Sequence, residues 1–405
     1  LADALEALAR AGATALDPSF GRDSRLTASL PCSALPALLR EEEVRWVEVV
    51  SAQPRAWNEQ CASFSRVDVA QAAPLGLTGE GVHVAIMDEY SVDATHGDFG
   101  GRVTEVTDYG WAYWDATGNA HATNVAGTIL GDGAGKAAAR GMAPGALGYT
   151  FPFYRWYALD AKVTAFGDYA IEIDNNSWSG WNGWEASLPD VGLSWWTWVS
   201  GSPGFGDYSA EIGDLDGLAA DTGVLVNFSS GNQADDDGNW LVDAYGEYPL
   251  AHYHYNLSTG RIDFPKYDRH MVDGDGGCIS PPATGKNGLV VGSVDERGNL
   301  SPFSGHGPVS DGRVKPDLVA VGENVLSTFP GDLHGTVSGT SSACAVVSGI
   351  AALVIEAWER NHASGPRLDV LRGLLLHTAR DAGRPGPDYD FGWGVADAGA
   401  AAALA

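Results

Sequence analysis

The chain has 405 residues, 44% of them hydrophobic, with 53 glycines and no low-complexity stretch; no apolar run is read as approaching the ~20 residues of a spanning helix. Fifty-two acidic against 24 basic residues give a formal charge of −28. That balance excludes partners such as nucleic acid and anionic membranes, which need clustered Lys and Arg, and suits a secreted protein kept soluble by an acidic surface.

Residues 1–55 read as a small α+β module. Leu1–Gly12 carries apolar residues at helical spacing, and short extended stretches follow around Ala13–Leu16 and Arg25–Leu30. Ala34–Glu42 is helical again, and Val44–Val50 alternates as a half-buried strand. The order α-β-β-α-β is ferredoxin-like without its first strand, and it buries little core alone. Leu1 opens no basic-then-apolar leader, so any signal peptide is expected to lie outside these residues. Residues 56–66 are expected to be a polar linker.

Strands and helices alternate through the domain assigned to 67–405. Gly81–Met87, Leu147–Phe151, Ile171–Asn176, Gly223–Phe228 and Gly288–Ser293 are short apolar runs ending in polar or glycine residues. They predict parallel strands buried on both faces, and Ser342–Arg360 predicts a long helix. The fold class is α/β: a doubly wound, mostly parallel sheet whose site lies beyond the carboxyl ends of the strands. Irregular insertions near 180–212 and 233–277 interrupt the pattern. Cys32, Cys61, Cys278 and Cys344 show no CxxC spacing. Isolated buried thiols are expected in preference to a Cys32–Cys61 bridge.

Three local patterns carry chemistry. Val84–Asp88 is a buried strand ending in a carboxylate, His121–Thr128 is a histidine opening a helix of small residues, and Gly339–Ala343 places Ser341 before an apolar helix. Each alone is ordinary: a turn aspartate, a capping histidine, an N-cap serine. Together they supply a nucleophile, a base and a carboxylate to orient the base.

HATNVAGTI resembles the subtilase histidine motif HGTHVAGT, and GTSSACAVVSG resembles GTSMASPHVAG. Gly305–Thr328, Phe228–Asn232, Ala143-Pro144-Gly145 and Phe391-Gly392-Trp393-Gly394 also resemble subtilase segments, from about Val67 to the C-terminus. Asn175-Asn176-Ser177-Trp178 and the FGWG resemble the alkaline, oxidatively stable branch of subtilases (the KP-43 type). The resemblance implies a subtilisin-like fold and a serine endopeptidase with Asp88, His121 and Ser341 as triad and Asn232 donating to the oxyanion. It implies that Ser177, Trp178, Ser179 and Gly180 pair with an extended substrate, with Ser229, Ser230 and Gly231 as the opposite wall. Trp181, Trp184, Trp195, Trp196 and Trp198 then form either a recognition surface or packing for the first insertion.

The same resemblance implies that no cofactor is needed for chemistry and that structural calcium is common. Asp235-Asp236-Asp237-Gly238-Asn239 and Asp273-Gly274-Asp275 have the carboxylate density for that ion, without EF-hand spacing. Residues 1–55 resemble a subtilase propeptide, either cleaved in the linker or retained as a scaffold. The implied partners are a peptide or protein substrate and this propeptide-like segment, in a secreted or extracytoplasmic setting. Four departures stand out: Glu89-Tyr90 follow Asp88, and Ala122, Asn124 and Ala345 replace a glycine, a histidine and a proline of the motifs. They leave two alternatives beside the leading function, a narrow-specificity maturation protease and a catalytically silent subtilase-fold binding protein.

Overall fold

The computed structural model describes residues 14–17, 27–29, 58–106, 120–152, 159–180, 182–185, 197–200, 204–234, 252–256, 258–266 and 277–405. The chain divides into two compact units, Leu1–Arg55 and Ala56–Ala405. In the first, β1 (Thr14–Asp17) and β2 (Thr27–Ser29) pair antiparallel where two extended stretches are expected. The two helices and the 44–50 strand expected there lie outside the described residues.

The second unit opens with α1 (Asn58–Phe64) and α2 (Val67–Gln71). Within the stretch expected to be a linker, Asn58–Phe64 is therefore helical. Asn58 and Cys61 are fully buried, and Asn58 Nδ2 donates to Ala139 O at 3.2 Å. A short helix that buries one face needs few apolar residues, so its composition still reads as polar.

Next in order are β3 (His83–Asp88), β4 (Val103–Glu105), α3 (Ala120–Leu130), β5 (Leu147–Pro152), α4 (Leu159–Asp168), β6 (Ile173–Asn176), β7 (Gly183–Glu185) and β8 (Thr197–Ser200). Then come α5 (Ala210–Thr222), β9 (Leu225–Ser229), β10 (His252–Asn256), β11 (Arg261–Lys266), β12 (Leu289–Val294) and β13 (Leu318–Val321). The chain ends with β14 (Val325–Phe329), β15 (Leu333–Val337), α6 (Thr340–Asn361), α7 (Leu368–His377) and α8 (Ala398–Leu404).

Seven strands form one all-parallel sheet in the order β13-β12-β9-β6-β3-β5-β4. The five predicted strands are all in it. Alternate residues of β3 feed opposite layers: Val84 and Ile86 join the core that holds Val125, Ile129 and Val346, while Ala85 and Met87 join Phe166, Leu215 and Leu218. Helices thus cover both faces, as the two-sided apolar runs require. The helix expected at 342–360 is α6. It is long and apolar enough to cross a membrane, but 94% of its most apolar window is buried inside the protein. An all-round apolar helix is what a central core position demands.

The insertions are not irregular throughout. β7 and β8 lie in the first and β10 and β11 in the second, and they join in one four-stranded sheet ordered β11-β10-β8-β7. β8 runs parallel to β10, with Trp198 opposite His254. Two insertions far apart in sequence complete each other, a pairing that neither one reveals alone.

In the main sheet β4 and β5 lie to one side of β3, while β6, β9, β12 and β13 lie to the other. The order reverses between β3 and β6. The crevice of such a sheet opens there, beyond the carboxyl ends of the strands.

Candidate active site

Asp88 is the last residue of β3 and only 4% exposed. Its Oδ1 accepts from Glu89 N at 2.9 Å, and its Oδ2 meets Nδ1 of His121 at 2.7 Å. His121 is the second residue of α3. An ionised carboxylate only accepts, so Nδ1 carries the hydrogen and Nε2 is left free to act as a base. The Asp88 charge raises the His121 imidazolium above the ordinary histidine value; burial opposes this, while the hydrogen bond to Asp88 and the charge of Glu89 reinforce it.

Ser341 is the second residue of α6 and lies in the buried core at its rim. Its hydroxyl donates to Ser177 O at 2.8 Å, and Ser177 Oγ donates to Ser341 O at 3.0 Å. The expected relay from hydroxyl to imidazole to carboxylate is therefore formed in its carboxylate arm, with the hydroxyl resting on the carbonyl that follows β6. A carbonyl is a strong acceptor, and nucleophile–base bonds are often loose until substrate binds.

Asn232 follows β9 through Ser230 and Gly231, the latter at φ +100°, where a side chain would be strained. Asn232 Oδ1 accepts from both N and Oγ1 of Thr340 at 2.8 Å. With the oxygen so held, the amide presents Nδ2 on its other edge; an ideal Cβ on Gly339 would lie 3.4 Å from it. The donor expected for an oxyanion thus stands beside the start of the helix that bears Ser341.

The two expected walls leave neighbouring strands. Ser177, Trp178, Ser179 and Gly180 follow β6, and Ser229, Ser230 and Gly231 close β9, which pairs with β6 in parallel. The Trp178 ring packs edge-on against Phe228 at 5.6 Å. Trp184 and Trp198 sit on β7 and β8; Trp181, Trp195 and Trp196 lie outside the described residues.

Beneath Ser341 lies a buried polar network absent from the sequence reading. Asn175 Nδ2 donates to Ser177 Oγ at 3.0 Å, while its Oδ1 accepts from Ser348 Oγ at 2.8 Å and from Cys344 Sγ at 3.4 Å. Asn227 Nδ2 donates to Ser348 Oγ at 2.9 Å. On the other face, Lys162 Nζ reaches Asp174 Oδ2 at 2.7 Å and Asn176 Oδ1 at 3.2 Å. The available signal was the IDNN of β6, three polar residues where a two-sided buried strand wants apolar ones. Burial pushes the Cys344 thiol up to about 12, so it stays neutral. Cys61 and Cys278 are also free and buried, as isolated thiols are expected to be, and Cys32 lies outside the described residues.

Among the described residues no group of three or more His, Cys, Asp or Glu could hold a metal ion. Buried Asp98 spends its oxygens on Gly135 N at 2.6 Å and His334 Nε2 at 2.8 Å. The acidic loops expected to suit calcium, 235–239 and 273–275, lie outside the described residues.

Residues 79–394 match the sequence model of the Subtilase family. The chain is 30% identical over 298 residues to M-protease of Shouchella clausii, covering 72% of this chain and 58% of that protein. It is 30% identical over 298 residues to Subtilisin Savinase of Lederbergia lenta, covering 72% of this chain and 82% of that one. The chain thus spans little more than half of the first relative. A 123-residue stretch, 30% of this chain and 20% of the relative, is 38% identical to the Halolysin-like extracellular serine protease Nep of Natrialba magadii. Among solved structures, the CspB protease of Clostridium perfringens shares the fold at a TM-score of 0.63 and 18% identity, over 85% of this chain and 98% of that one. Patellamide maturation protease PatA shares it at 0.54 and 21%, over 80% and 97%.

Proposed function

The chain belongs to the subtilase family, and from that premise we propose that it is a serine endopeptidase that hydrolyses peptide bonds through an acyl-enzyme. An extended substrate pairing with 177–180 competes for Ser177 O and frees the Ser341 hydroxyl. His121 Nε2 takes its proton as Oγ attacks the scissile carbonyl carbon, and Asp88 stabilises the imidazolium that forms. The oxyanion receives Ser341 N at the helix start and Asn232 Nδ2, a type of donor worth about 10²–10³ in turnover. Collapse returns the proton from His121 to the leaving amine. Water, activated by the same base, then releases the acid. Protein groups complete every step, so the chemistry needs no cofactor.

The observation that carries the reading is the 2.7 Å contact of Asp88 with His121, on a helix that packs against α6, whose second residue is Ser341. The proposal extends to the first unit, as a propeptide-like segment cleaved where that unit ends, near Arg55 and ahead of the buried α1, and to a setting outside the cytoplasm. One experiment tests enzyme and processing together. A fluorophosphonate probe labels the wild type, while Ser341→Ala loses the label and keeps its full intact mass. A wild type that never labels would leave the silent binding protein as the answer. A single uncut species that labels and cleaves would remove the processing idea alone. Narrow specificity is the second reading, favoured by the closeness of the two walls beside Ser341.

A further inference from the structure

The crevice beside Ser341 is bounded by 177–180 and 229–231, and each wall is tied to the start of α6. Ser341 Oγ bonds Ser177 O, and Thr340 N bonds Asn232 Oδ1. A peptide whose carbonyl carbon sits over Ser341 Oγ, with its oxygen toward Asn232 Nδ2, must send the side chain of that same residue between the walls. The width of the gap decides which side chains can enter.

Gly231 faces the opposite wall. An ideal Cβ there would lie 3.9 Å from Ser179 Oγ and 2.6 Å from Gln233 Oε1. Gln233 folds back over Gly231 because its Oε1 accepts from Asn232 N at 2.9 Å. A flat ring needs about 7 Å between the atoms that face it, one carbon contact of about 3.5–4.0 Å on each side. Here a point one bond out from Gly231 is already in contact with Ser179, and the Gln233 amide fills the space in front. The wall cannot easily retreat. Trp178 is wedged against Phe228, and Gly180 N donates to Pro281 O at 2.8 Å, where an added Cβ would come within 2.6 Å of the same oxygen.

We propose that Ser179 and Gln233 restrict the residue preceding the scissile bond to glycine, alanine or serine, an inference that rests on the endopeptidase reading above. A leucine or phenylalanine side chain meets two polar side chains in a space too narrow for it. Admitting one also displaces the Gln233 amide from Asn232 N. A serine hydroxyl, by contrast, finds both a donor and an acceptor.

The test uses fluorogenic peptides that differ only in the residue before the leaving group: Gly, Ala, Ser, Leu and Phe. The expected kcat/KM for Ala exceeds that for Phe by at least about 100-fold, the upper range for shape discrimination in a pocket. Ser179→Gly and Gln233→Ala are read by the Phe-to-Ala ratio, which rises about tenfold or more in at least one of them. Equal wild-type rates for Ala and Phe, or an unchanged ratio in both variants, overturn the slot. Fluorophosphonate labelling of each preparation separates the levels. A protein that labels at Ser341 without preference loses the slot and keeps the endopeptidase reading; one that neither labels nor cleaves loses both.

Discussion

In the proposed mechanism His121 must be neutral to accept the Ser341 proton, and the neighbouring Asp88 charge raises its affinity for protons. The acid limb of kcat/KM is therefore expected above the ordinary histidine value of about 6.5, with activity rising as pH increases through it. Asp88→Asn removes the charge, moves the limb downward, and lowers kcat about 10⁴-fold by favouring the wrong tautomer. A limb that stays in place in this variant would count against the pair. Linkage runs the other way for stability. The pair's contribution is fully present below about 6.5 and is lost as pH rises through the raised folded value. At this scale the placement of Asp88 at a strand end and of His121 and Ser341 at helix starts was legible from short local patterns. The resting acceptor of the Ser341 hydroxyl was not, because Ser177 O is a backbone atom 164 residues away.

The hairpin of β14 and β15 holds the site's segments together. Thr328 Oγ1 donates to Thr123 O at 2.7 Å and Ser327 Oγ to Asn124 O at 2.8 Å, so β14 is hydrogen-bonded onto the helix that carries His121. The hairpin tip reaches the stretch that follows Asp88. Gly331 N donates to Asp93 Oδ2 at 2.9 Å, Gly97 N to Asp332 Oδ1 at 2.6 Å, and His334 Nε2 meets Asp98 Oδ2. Helix and hairpin approach this closely only because residue 127 is glycine. An added Cβ would overlap Thr328 Oγ1 and lie 2.6 Å from Ser327 Oγ. Gly127→Ala is expected to destabilise by about 1–3 kcal/mol, as overpacking does. Gly167→Ala, with nothing within 4 Å of its Cβ, is the control and should melt no lower than wild type. Equal melting of the two variants would refute the close approach. The helix was legible in its small, periodic residues. The hairpin was not, because its partners lie some 200 residues upstream of it.

With −28 charges on 405 residues, the folded chain repels itself, and salt screens that repulsion. Tm is expected to rise as NaCl increases from about 0.01 to 1 M, over which the screening length falls from about 30 to 3 Å. A flat or falling Tm would show that local ion pairs outweigh the global field. The same series with EDTA tests the acidic loops. A chelator-dependent drop supports a calcium ion at 235–239 or 273–275, and insensitivity removes it.

The sequence alone determined the α/β class, the five central parallel strands, the buried helix behind Ser341 and the strand-end and helix-start positions of Asp88, His121 and Ser341. These depend on patterns within about ten residues, on periodicity and on what a strand end or helix start can present. Tertiary structure alone decided that the two insertions share one sheet, that Asn58–Phe64 packs as a buried helix, that IDNN is buried on a polar network, and that Ser179 faces Gly231. Those outcomes are distances between segments far apart in the chain, and a distance of that kind exists only once packing has chosen which surfaces meet.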